Sequence, residues 1–244
     1  MLKNSLNVII LSVAVVISAF LFSNAFQNRN KSDDTISVTG LGKTDFVSDL
    51  IVWKGSFSKK SSTLKEAYAS LDADRDKIKN YLLSKGIPAA DIIFSAISFN
   101  KDFETSYNAN GTVRQTIFTG FTLNQNVSIQ SKDVNKIEDI SRQSSELINT
   151  GVEFYSNAPE YYYTKLAELK IKMIAEATKD ASTRAKSIAE NADAALGNLK
   201  KSDMGVFQII AQNSSEDYSY GGSFNTNSKN KTATITIKLV YQVD

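Results

Sequence analysis

With 244 residues and 42% hydrophobic content, the chain is long enough to bury a sizeable core. Its net charge of +2 argues against a dedicated nucleic-acid binder, which carries a basic excess on one face. Histidine and cysteine are both absent. That excludes Ser-His and Cys-His nucleophile pairs, histidine- or cysteine-ligated metals and disulfides, and leaves carboxylate, lysine or tyrosine chemistry as the remaining catalytic routes.

Residues 1–28 stand apart from the rest. Lys3 is their one charged residue, and Val8 to Phe22 is apolar apart from Ser12 and Ser18. Two readings fit. Ser23-Asn24-Ala25 after a short apolar stretch suits a cleavable secretory signal. Leu6 to Phe26 also reaches the roughly 20 residues of an uncleaved transmembrane anchor. Both imply export to the cell envelope: membrane-anchored with the body outside the cytoplasm, or periplasmic or secreted after cleavage. A polar linker, 29–34, leads to a body at 35–244.

In the body, Ile36 to Thr39 alternates as a strand. Phe46 to Ser58 follows as another, with Ile51, Trp53 and Phe57 on one face. Thr63-Leu64-Lys65-Glu66 is a capping box. It opens a helix whose stripe is Leu64, Ala67, Tyr68, Leu71, Ile78, Tyr81 and Leu82, ended by Gly86 and Pro88. Ile92 to Tyr107 and Thr112 to Ile129 form a long hairpin through Asn110-Gly111. A helix from Asp133 follows, with Val134, Ile137, Ile140, Leu147 and Ile148 on its apolar face, closing at Gly151. Val152 to Tyr155 is a short strand. Asn157-Ala158-Pro159-Glu160 then predicts the start of a helix running to Leu196, about 38 residues. Its stripe comprises Ala167, Ile171, Ile174, Ala177, Ala181, Ala185, Ile188, Ala189 and Ala192. Two antiparallel strands, Met204 to Gln212 and Thr232 to Val243, close the chain. The fold class is α+β: two strand-strand-helix units, a long Ala-rich helix and two C-terminal strands.

These elements carry a resemblance. Ile36-Ser-Val-Thr-Gly40, Glu66-Ala67, Gly86-Ile87 with Asp91-Ile92, Gly120-Phe121, Leu147 and Gly151-Val152 occur in order. Asp180-Ala181-x-x-Arg184-Ala185-x-x-Ile188-Ala189 and Leu196-Gly197 complete the set. From Ile36 to Val243 the chain resembles the SIMPL-domain family of bacterial periplasmic and outer-membrane-associated proteins, although Phe121 stands where the family usually has tyrosine. The resemblance implies an α+β fold, export, self-association in some members and a loose link to envelope or oxidative stress. It implies no catalytic residues.

Three motifs dissolve on inspection. Ser37 to Thr44 has the Gly-Lys-Thr end of a phosphate loop but lacks its first glycine and a following helix. Asp72-Ala-Asp74-Arg-Asp76 opens like a calcium loop, yet Lys77 and Leu83 occupy its glycine and glutamate positions, so it reads as a solvated helix face. Tyr161-Tyr162-Tyr163 reads as packing at a helix start rather than a glycan platform. The loop Asn213 to Lys231, with Tyr218, Tyr220 and Phe224 among Ser, Asn and Gly, has the composition of an adaptable contact surface. Those three aromatics are the candidate partner-contact residues.

The sequence therefore points to a non-enzymatic envelope protein without cofactor or metal. It would act through protein contacts that include homo-oligomerisation, with the membrane met only through residues 1–28. The alternative is a ligand-binding module or carboxylate-dependent enzyme acting on an envelope substrate, which needs converging acidic groups in a cleft.

Overall fold

A computed structural model describes residues 2–29, 34–215 and 219–243. Helix α1 spans Leu2–Arg29. Its described side chains, Leu11 to Phe26, are all exposed. Among the described residues no helix is long and apolar enough to cross a membrane.

The body is α+β, with two antiparallel sheets. Strand β1 (Thr35–Val47) is longer than the alternation at Ile36 to Thr39 suggests, and it does not pair with β2 (Leu50–Ser61). The chain turns at Ser48-Asp49 and enters the other sheet. There β2 lies between β5 (Val113–Ser131) on one side and β6 (Phe154–Ser156) and β7 (Glu160–Tyr162) on the other. Strands β3 (Ile92–Phe94) and β4 (Ser98–Tyr107) pair along the far side of β5. The predicted face of β2 holds: Ile51, Trp53 and Phe57 are buried with Leu123, Val127 and Ile129 of β5. Helices α2 (Leu64–Ser84) and α3 (Val134–Gln143) cover this face.

Local signals hold at most boundaries. Thr63 accepts a hydrogen bond from the Glu66 amide, although Glu66 returns its carboxylate to Ser61 rather than to the cap. Gly86 and Gly151 sit at left-handed φ of 77° and 79° where their helical segments end. The inward stripe of α2 is Ala67, Leu71, Asp74, Ile78 and Leu82, whereas Leu64 and Tyr68 stay exposed. Asp74 is thus buried rather than solvated, with Lys59 at 2.9 Å and Lys77 at 3.6 Å.

The other sheet joins β1 to β10 (Asn230–Val243) over their whole length. Strands β8 (Leu196–Met204) and β9 (Gln208–Ala211) share the far side of β10. Helix α4 (Leu166–Asn191) lies on one face. It starts later and ends earlier than the sequence predicts. Residues 160–162 are a strand because they pair antiparallel with the start of β2, and Asn157 donates its amide to the Lys54 carbonyl. The Asp49 carboxylate then receives the Thr164 amide and hydroxyl, both at 2.7 Å, fixing the turn into α4. At the other end Asp193 adopts φ 52°, and Leu196-Gly197 belong to β8. That strand adds a third member to the two predicted C-terminal strands.

The buried stripe of α4 is Leu169, Met173, Ala177, Ala181, Ala185 and Ala189, while Ile171 and Ile188 face solvent. Small residues let the helix touch the sheet backbone. A Cβ on Gly40 would lie 2.1 Å from the Ala177 carbonyl oxygen, and one on Gly42 would lie 2.5 Å from that of Met173. The resemblance to a phosphate loop is therefore a seat for a helix, inside an unbroken strand.

Candidate functional site

Three surfaces stand out among the described residues. The first is an arm. Strand β2 ends at Ser61 opposite Phe121, so Val113 to Gly120 of β5 pairs only with β4. At about 3.4 Å per residue this two-stranded ribbon extends roughly 27 Å. Gly120 marks the departure: its φ is 137°, and a Cβ there would lie 2.4 Å from the Ser61 carbonyl oxygen. The pairing also shifts register at this point, between Asp102 and Phe103, which adds local twist. At the tip Asn108 donates to the Thr112 carbonyl at 2.8 Å and Gly111 takes φ 79°, as the Asn-Gly signal predicts.

The arm carries an aromatic ladder. Phe99 and Phe118 each pack against Phe121, with centroids 6.5 and 5.1 Å away, and Phe118 meets Phe103 at 5.7 Å. Phe103 is 57% exposed and Tyr107 63%, with Phe99, Val113 and Ile117 similarly open. Isolated ribbons are marginal in water, and contiguous apolar exposure marks contact surfaces.

The second surface is a cleft of about 520 Å³ on the sheet face opposite α4, lined chiefly by Leu41, Val206, Gln208, Tyr220, Thr234 and Thr236. Among the described residues no charged side chain lines it. One wall is formed by Ser219 and Tyr220, fastened where Gln208 donates to the Ser219 carbonyl at 2.6 Å and accepts the Ser219 amide at 3.3 Å. Of the three predicted contact residues, Tyr218 lies outside the described residues. Tyr220 lines the cleft at 105% exposure, whereas Phe224, not part of its lining, lies 6.4 Å from Tyr162.

The third is a cleft of about 620 Å³ beside β6, with Ser56, Ser58, Asn124, Ile148, Glu153 and Tyr155 in its walls.

Acidic groups serve the fold in this arrangement. Hydrogen bonds from Thr232 and Gln212 hold the Asp45 carboxyl below its ordinary value, and those from Thr122 and Lys60 do the same for Asp102. Burial by itself pushes Glu138 up, yet the Lys229 ammonium 3.0 Å away outweighs it and keeps the carboxyl low. This pair bridges the two sheets, as does the Tyr161 amide bonded to the Thr226 carbonyl at 2.7 Å. Burial also raises the Tyr161 phenol, helped by Glu138. Asp180 accepts the Leu41 amide at 2.9 Å and pairs with Arg184 at 3.0 Å, both lowering its pKa. Among the described residues no three acidic groups cluster closely enough to hold a metal ion.

Fold and surfaces together define an antiparallel α+β protein whose distinctive features lie on its exterior. The family model for SIMPL, a protein of unknown function (DUF541), matches residues 36–241. The chain belongs to the SIMPL family. No curated protein matches it. The residues that carry the resemblance are folding residues: Gly40 seats α4, Asp180 ties it to β1, Ala181 and Ala185 face the sheet, and Gly120 releases the arm.

Proposed function

We propose that this protein is a non-enzymatic component of the cell envelope that acts by presenting surfaces to other proteins, including copies of itself. Residues 1–28 supply export, and hold the body at the membrane if they are retained. A link to envelope or oxidative stress rests on family resemblance alone. The observation that carries the reading is the arm, which exposes an aromatic ladder on a ribbon with no core beneath it. Tethering would raise local concentration and favour weak contacts of this kind.

The test is Phe103→Ser combined with Phe118→Ser, followed by sedimentation velocity at micromolar concentration. Both rings are half exposed, so circular dichroism and the fluorescence of Trp53 should not change. The sedimenting mass should fall relative to the unmodified protein. An unchanged mass would remove the arm from the account.

A second reading, small-molecule binding, is favoured by the Leu41–Tyr220 cleft. Its lining among the described residues, chiefly Leu41, Val206, Tyr220 and threonines, fits a largely apolar ligand.

A further inference from the structure

The arm has a free edge. Strand β4 pairs with β5 on one side, and among the described residues no strand pairs with the other. We infer that a second copy of this chain adds its own β4 to that edge, antiparallel and two-fold symmetric, with Phe103 of each copy meeting at the axis. This rests on the self-association proposed above and specifies its geometry.

The register follows from symmetry. A two-fold axis perpendicular to a sheet keeps each strand's faces, so residues of one face meet residues of the same face. Phe99, Lys101, Phe103, Thr105 and Tyr107 alternate onto one face, and Asn100, Asp102, Glu104 and Ser106 onto the other. Centring on Asp102 or Glu104 would pair no ring with another ring, centring on Lys101 would set an ammonium against its own copy, and centring on Thr105 would leave Phe99 beyond the end of the second β4. Centring on Phe103 pairs Phe103 with itself, Phe99 with Tyr107 and Lys101 with Thr105. It uses nearly the whole strand and makes one aromatic face of the two ladders. Aromatic cross-strand pairs of this kind stabilise sheets.

The charged residues of β4 would otherwise guard the edge against pairing. In this register Asp102 faces Glu104 of the second copy, and the Lys60 ammonium, 3.1 Å from Asp102, supplies the counter-charge on that face. A two-stranded arm thereby becomes part of a four-stranded ribbon, which relieves both its unpaired edge and its exposed rings.

The absence of cysteine makes the test clean, since introduced thiols are the only thiols. Lys101→Cys and Thr105→Cys variants of the full chain, carrying tags of different size, are produced together in one cell and oxidised in its membranes. Paired positions in antiparallel strands bring Cα atoms to about 4.5–5.5 Å, within disulfide reach. Lys101 of the two copies, four residues apart along the strand, would be out of reach at roughly 14 Å.

The expected result is a mixed disulfide dimer, joining the Lys101→Cys chain to the Thr105→Cys chain, on the order of tenfold more abundant than the dimer from either variant alone. Equal crosslinking from both variants alone and from a Ser187→Cys control on α4 would reveal collision only and overturn the register. No mixed dimer, while the unmodified chain sediments above monomer, would overturn edge pairing and leave self-association standing. A monomeric unmodified chain would remove both.

Discussion

Replacing Gly40 by alanine tests whether the family's glycine and its helix motif form one docking device. The added Cβ would sit 2.1 Å from the Ala177 carbonyl oxygen and 2.4 Å from the Ala181 amide nitrogen. Ordinary van der Waals contact begins near 3.4 Å, and these neighbours are helix backbone rather than the end of a movable side chain. Helix α4 must therefore back away by more than 1 Å. Doing so loosens the contacts of Ala177, Ala181 and Ala185 with Ala233, Ile235 and Ile237 of β10. Overpacking a tight site costs about 1–3 kcal/mol. At roughly 2–4 °C per kcal/mol for a domain of this size, Tm should drop by about 2–12 °C. Urea unfolding followed by circular dichroism measures the loss, and fluorescence of the single, fully buried Trp53 shows whether the other sheet unfolds with it. Gly111→Ala is the control: nothing lies within 4 Å of its Cβ, so only the strain of its left-handed backbone is paid, about 1 kcal/mol. A Gly40→Ala protein within about 0.5 kcal/mol of the unmodified one would refute the docking account.

Acid should destabilise the fold through the carboxyls whose pKa values are depressed. Their stabilisation is complete above the ordinary carboxylate range and fades as pH falls through the lower folded-state values. Asp180→Asn keeps an acceptor for the Leu41 amide but removes the titration, so its urea midpoint should fall less steeply with pH below about 4. An unchanged slope would mean that Asp180 does not couple to folding. In the loop, Tyr220→Ala should leave stability within about 0.5 kcal/mol because its side chain is fully exposed, whereas Phe224→Ala should cost roughly 1 kcal/mol through its contact with Tyr162. Chemical denaturation ranks the two, and the reverse order would contradict the geometry.

Much of the fold was legible because its signals are local. The alternation of Ile51, Trp53 and Phe57, the Thr63 cap and the Asn110-Gly111 turn depend on nearby residues, and each appears where the sequence places it. The misses share one cause, distant pairing. Asn157-Ala-Pro-Glu160 carries helix-start chemistry, yet residues 160–162 gain more by pairing with the start of β2. Leu196 to Met204 shows no alternation because almost none of it is buried, so the edge strand β8 left no periodic trace. The stripe of α4 was read with Ile171 and Ile188, but the sheet accepts only the narrower row with fourfold spacing that Gly40 and Gly42 admit. Of the candidate surfaces, the hairpin was visible as a long pair of strands. Its aromatic ladder needed the register shift beside Gly120 to bring Phe103 and Phe118 together. The cleft at Tyr220 draws on β1, β9, β10 and a loop, which no sequence spacing brings near one another.

The most direct check is the mass of the body itself, from Asp34 onward, whose two cores take no residue from α1 among the described residues. Sedimentation equilibrium across the micromolar range should give a weight-average mass above that of one chain, rising with concentration. A mass equal to one chain at every concentration would contradict the central claim that this fold works by meeting its own kind.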